Sequence, residues 1–205
     1  MRNFLLAFCA FVAFTLPARA GYKDCALALP EKCENSNQLI WAGPSKVTAM
    51  RSPLVLAIDR FLRGAPTLYI GKIQQGAAFT ARNAITGPGD RRQLDGDWFF
   101  DGFWPHNATE RAAIILDPHG KLLLVAILNS ATDASTLSDL DTLSAYTLRI
   151  YSHIPQSSAS IRYLQGWARR IVPGFNSPSM SHYHLVQTQM LVSDDKGHWG
   201  KRIVP

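Results

Sequence analysis

The sequence predicts an α+β fold, a central antiparallel sheet with a few flanking helices. Three observations carry this reading. Two apolar, β-prone segments, Arg111–Leu116 and Leu122–Leu128, are joined by Asp117-Pro118-His119-Gly120, which meets the type I turn preferences for Asp first, Pro second and Gly fourth. A second pair, His184–Val192 and His198–Val204, flanks the turn residues Asp194-Asp195-Lys196-Gly197. Two other segments, beginning near Pro53 and Ser158, space their apolar residues as helices do.

The N-terminus reads as an address rather than as structure. Met1–Ala20 has an early cation (Arg2), an apolar run from Phe4 to Leu16, and a small-residue ending at Ala18-Arg19-Ala20. That is the layout of a secretory signal peptide, with the mature protein expected to start at Gly21 in the periplasm or outside the cell. The apolar run is too short to cross a hydrocarbon core of ~30 Å as a helix. No later stretch approaches membrane-spanning length, so residues 21–205 are expected to form a single domain that does not span the membrane. Cleavage would remove Arg2 and Arg19 and no acidic residue, lowering the formal charge from +6 to +4. It would also remove Cys9, leaving Cys25 and Cys33. In an oxidising compartment these two are expected to form a disulfide, closing a short loop and adding ~2–3 kcal/mol.

From Gly21 to Arg51 the chain is expected to be irregular and tied by that disulfide. Ser52 suits a helix N-cap, Pro53 the first helical position and Gly64 the exit, with Leu54, Ile58, Phe61 and Leu62 forming one apolar stripe. Thr67–Ile73 and Ala77–Arg82 read as strands, before a turn-rich break at Gly87-Pro88-Gly89-Asp90. Asp97–Trp104 is an aromatic strand. The next two strands are apolar on both faces, which places them at the centre of a covered sheet. A strand over Tyr146–Tyr151 interrupts a Ser/Thr/Asp-rich region. An amphipathic helix follows from Ser158 to Ile171, with Ile161, Leu164, Trp167, Ala168 and Ile171 on one face, ended by Pro173-Gly174.

The charge clusters Arg91-Arg92, Arg169-Arg170 and Lys201-Arg202 read first as solvated faces and second as contacts to an acidic partner or polyanion, and their density is too low for a nucleic-acid surface. The nucleophile-elbow, phosphate-loop and zinc-protease patterns are missing, so no catalytic residue and no cofactor is expected. Among the histidines, His119 falls in a turn. His182 and His184 form an H-x-H pair that would share a strand face, and His198 on the partner strand could supply a third metal ligand. His106 sits in Phe103-Trp104-Pro105-His106-Asn107-Ala108, where Pro105 fixes its own φ and restricts Trp104. A stiffened loop of this kind docks at low entropic cost. The competing reading buries Trp104 in the core and leaves His106 idle.

Asp97–Asn129 resembles the inhibitor of vertebrate lysozyme (Ivy) family, periplasmic proteins with a central sheet and a protruding loop. The family carries Cys-Lys-Pro-His-Asp-Cys between two strands, and Phe103–Ala108 matches it without a gap. Pro105 and His106 are kept, and Asn107 is near-isosteric with Asp. Phe103 and Ala108 replace both cysteines, so the loop has no covalent clamp. The resemblance implies that Trp104, Pro105, His106 and Asn107 contact a partner, with His106 entering the cleft of a lysozyme-like peptidoglycan hydrolase. A mature charge of +4 opposes steering onto a basic lysozyme and favours a less basic target, such as a secreted effector against which this protein would confer immunity. The alternatives are a metal protein or enzyme built on His182 and His184, and an adaptor protein of the envelope.

Overall fold

The computed structural model describes residues 25–41, 52–70, 72–105, 107–133, 144–154, 156–176 and 183–204, apart from the side chains of residues 41, 107 and 108. The expected signal peptide, His106 and His182 lie outside the described residues. The chain is α+β: a mostly antiparallel seven-stranded sheet, a separate two-stranded sheet, and helices on both faces of the larger one. The helices are α1 (Ser36–Trp41), α2 (Pro53–Phe61), α3 (Ala77–Ala84) and α4 (Ser158–Ile171). The small sheet pairs β1 (Leu68–Ile70) with β2 (Ile73–Gln75). The large sheet runs in chain order through β3 (Arg91–Leu94), β4 (Asp97–Trp104), β5 (Asn107–Leu116), β6 (Leu122–Asn129), β7 (Ala145–Ser152), β8 (His184–Ser193) and β9 (Trp199–Val204).

The expected turn chemistry is present. Gly120 closes the β5–β6 turn by donating its N–H to the Asp117 carbonyl at 2.9 Å, and its φ of +79° is one that glycine adopts without strain. β6 lies at the middle of the sheet with β5 beside it, and Ile114, Ile115, Val125 and Ile127 are buried. β7 and β8 form the one parallel pair of the large sheet. They can run parallel because α4 carries the chain back between them, a reversal that a tight hairpin cannot provide.

Each face of the sheet has its own core. Phe100, Ile114, Val125, Ile127 and Tyr151 pack with Leu54 and Ile58 of α2 and Ala77 and Ala81 of α3. On the opposite face Phe99, Ile115, Leu124, Leu148 and Met190 pack against Ile161, Leu164, Trp167 and Ala168 of α4. Ser52 caps α2 by accepting from the Val55 N–H at 3.2 Å, and Ser157 caps α4 by accepting from Ser160.

Four expectations need correction. Thr67–Ile73 is not one strand, because the chain reverses between Ile70 and Ile73 to pair β1 with β2. Ala77–Arg82 is helical: Ala77, Thr80, Ala81 and Ala84 recur at helical spacing and are all buried, whereas a strand would have buried alternate residues. The N-terminal region contains α1 and a 3-10 turn over Pro30–Lys32 in place of wholly irregular chain. Arg91 is not simply solvated. It lies in β3 with its guanidinium 5.0 Å from the Trp98 ring centre, and donates to the carbonyls of Glu31 and Cys33 at 2.9 and 2.6 Å.

The Cys25–Cys33 disulfide is formed, with Cα atoms 4.8 Å apart. The loop it closes lies over the β5–β6 turn, where a Cβ on Gly120 would stand 1.5 Å from the Leu27 carbonyl oxygen. No described helix is long and apolar enough to cross a membrane.

Candidate functional site

The Pro-His segment is the tip of the β4–β5 hairpin. β4 ends at Trp104 and β5 begins at Asn107, which pairs with it, so only Pro105 and His106 lie between them. Pro105 is exposed. The register shifts just below the tip: Phe103 faces Arg111 while Trp104 faces Asn107. Residues 108–110 therefore bulge on the β5 side, a common way to re-aim the end of a hairpin.

Trp104 is neither buried in the core nor fully presented. It is half-buried and meets Phe79 of α3 edge to face, with centroids 5.9 Å apart and planes at 80°. Phe79 is itself 43% exposed, and the Arg82 guanidinium lies 5.4 Å from its ring centre while reaching Asp59 at 3.5 Å. Sequence reasoning missed Phe79 because it read this segment as a strand. The helical spacing of Ala77, Thr80, Ala81 and Ala84 was the available signal.

The opposite face of the hairpin is held by Phe103. The Arg111 guanidinium stands 4.8 Å from the Phe103 ring centre and 5.8 Å from that of Phe175. Burial lowers the pKa of Arg111, and the charges of Asp101 and Asp90 oppose that shift. Phe103 thus holds this face of the hairpin by non-covalent packing.

Below the tip, Asp101 fixes the strand to its surroundings. It is 4% exposed, its Oδ2 accepts from the Trp167 indole N–H at 2.7 Å, and its Oδ1 accepts from the Asp90 backbone N–H. Burial pushes this carboxyl above its ordinary range, while the Trp167 and Asp90 hydrogen bonds and the Arg111 charge pull it back. Ser36 of α1 donates its hydroxyl to the carbonyls of Asp101 and Gly87 at 2.8 and 3.1 Å. The Gly87–Asp90 turn lies against β4 so closely that a Cβ on Gly87 would stand 2.1 Å from the Phe103 carbonyl, and one on Gly89 2.1 Å from that of Asp101. Helix α1, this turn and helix α4 thus converge on Asp101 and Phe103, just before Trp104 and Pro105.

The histidine candidates are dispersed. His184 is exposed at the start of β8, whereas His198 follows the turn at its far end, with its ring 3.2 Å from Asp194. The ten residues of β8 separate them by roughly 30 Å, so His198 cannot complete a site with His184. No group of three His, Cys, Asp or Glu residues able to hold a metal occurs among the described residues. His119 is exposed in the β5–β6 turn, and His153 bonds the Phe61 carbonyl through Nε2 at 2.7 Å. No family model, no curated protein and no solved structure matches the chain.

Proposed function

We propose that this protein is an exported binding protein that blocks a cell-wall glycan hydrolase by inserting the Pro105-His106 tip into its active cleft. One observation carries the reading: a two-residue tip stands on a hairpin braced on one face by Phe79 of α3 against Trp104, and on the other by Arg111, whose guanidinium lies between its cross-strand partner Phe103 and Phe175. Such a tip loses little conformational freedom on docking. Pro105 limits the backbone, the exposed part of Trp104 supplies apolar contact, and the His106 imidazole hydrogen-bonds a general-acid carboxyl in the cleft. The protein acts by occupancy, without turnover and without a cofactor. Its compartment is the periplasm or the exterior, consistent with the Cys25–Cys33 disulfide.

The test is inhibition of a panel of purified peptidoglycan hydrolases, including secreted bacterial effectors of low net charge. At least one is inhibited by the wild type, and His106→Ala raises the inhibition constant at least about tenfold, the loss expected of one central contact. Equal inhibition by His106→Ala would remove the tip mechanism.

A further inference from the structure

The far edge of the sheet carries a second surface, independent of the hairpin tip. β9 is an edge strand, Gly200 through Ile203 are all exposed, and among the described residues no strand pairs with its outer rim. An edge strand turns alternate N–H and C=O groups outward with no partner. Beside it, Ser158, Ile161, Arg162 and Gln165 of α4 and Arg202, Ile203 and Val204 of β9 enclose a hollow of about 370 Å³. A second hollow of about 280 Å³, bordered by Val192, Gly200, Lys201 and Arg202, shares Arg202 with the first. The first hollow thus lies between β9 and the N-terminal half of α4, and the second continues from Arg202 along β8 and β9.

The two sides of this strand differ in character. On the α4 side, Arg202 and Arg162 line one hollow, and among the described residues no carboxylate lies within ion-pair distance of either. On the other side, by strand alternation, stand Lys201, already paired with Asp133, and Ile203, which is 57% exposed and also borders the first hollow.

We propose that β9 is a docking edge for an extended acidic segment of another protein, which adds to the sheet as an eighth strand. Main-chain hydrogen bonds to β9 supply affinity, and alternate side chains supply selection. Because side chains alternate across a strand, those on the α4 side would be carboxylates meeting Arg162 and Arg202, and those on the other side would be apolar and cover Ile203. A second copy pairing β9 with β9 would bring Lys201 and Arg202 together with their own kind, a like-charge arrangement that opposes self-association. Four strand spacings separate β9 from β5, roughly 20 Å, so this edge and the hairpin tip can be occupied at once.

Amide hydrogen exchange of the purified protein tests this with two seven-residue probes, one alternating valine and glutamate, the other valine and lysine. The acidic probe slows exchange of outward amides between residues 200 and 204 by about fivefold or more at saturation, and the basic probe does not. Arg162→Glu combined with Arg202→Glu weakens binding of the acidic probe at least about tenfold. If that variant loses its far-UV dichroism, Arg202→Gln alone serves, with a smaller loss in the same direction. The proposal is overturned by no slowing, by equal slowing with both probes, or by slowing without a probe that grows with protein concentration, which would assign the edge to a second copy of the chain.

Discussion

The indole N–H of Trp167 donates to Asp101 Oδ2 at 2.7 Å, and both residues are buried between helix α4 and the sheet. This bond joins the second half of the chain to the strand that carries the candidate tip, and it opposes the upward push that burial gives the carboxyl. Asp101→Ala leaves the Trp167 and Asp90 N–H groups buried without their acceptor, so unfolding stability should fall by about 2–3 kcal/mol. Asp101→Asn keeps one acceptor oxygen for one of the two N–H groups and turns its NH2 toward the other, so its loss should be smaller than that of Asp101→Ala. Urea denaturation of the three proteins gives the order, and an Asp101→Ala midpoint equal to wild type would show that the bond is dispensable.

Asp133 shows the opposite electrostatic behaviour. Burial pushes its carboxyl upward, but the Lys201 hydrogen bond and the charge of Arg149 outweigh it and hold the group below its ordinary value of 3.8. A folded pKa below the unfolded one adds stability that is fully present above the unfolded value and disappears as pH falls through the folded one. Arg149 is 1% exposed and also donates to Asn129 Oδ1 and the Ala131 carbonyl, so it keeps partners when Asp133 is neutralised. With Asp133 itself 40% exposed and screened by solvent, Asp133→Asn should cost only about 1 kcal/mol at pH 7. The gap from wild type should close below about pH 4, as the wild-type carboxyl takes up its proton. A gap that is constant between pH 3 and 7 would assign the loss to packing instead of charge.

Gly120 is constrained twice, by its positive φ and by the Leu27 carbonyl against its Cα. Alanine there must strain the turn and displace the disulfide loop, so Gly120→Ala should destabilise by about 2 kcal/mol or more. Cleavage of the Cys25–Cys33 bond removes a further ~2–3 kcal/mol of chain restraint. In the Gly120→Ala protein reduction should matter less, since the loop no longer seats on the turn. Thermal melts with and without reductant measure both effects, and full additivity would uncouple loop and turn.

Much of this architecture was legible because local chemistry and tertiary position agreed. The Asp117–Gly120 turn, the both-face apolar strands at the sheet centre, the Ser52-Pro53 helix start and the Ser158–Ile171 stripe each satisfied one local rule that packing did not overrule. Where the fold departs, the decisive contact is distant in sequence. Nothing near Arg91 signals that its partners are the carbonyls of Glu31 and Cys33, some sixty residues earlier. The parallel β7–β8 pair depends on where α4 crosses, which no segment encodes alone. At the candidate site, Trp104 and Pro105 could be picked out by composition, whereas Phe79, Asp101 and Trp167 became visible only as neighbours in space. His198 as a third metal ligand shows the converse, since strand length separates it from His184 although the hairpin between them is correct.

Phe79 and Trp104 supply the last prediction, because their edge-to-face contact ties the tip to helix α3. If the contact pre-positions the tip, each ring matters to inhibition partly through the other. Under the proposed function, Phe79→Ala and Trp104→Ala should each weaken inhibition of any hydrolase that the wild type inhibits, and the double variant should weaken it by less than the sum. The coupling expected for an aromatic pair is about 0.5–1.5 kcal/mol. Phe79 is 43% exposed, so Phe79→Ala should change global stability little and isolate the positioning effect from folding. Strict additivity in the double-mutant cycle would mean that the two rings touch the partner independently, and that the hairpin, without α3, sets the tip.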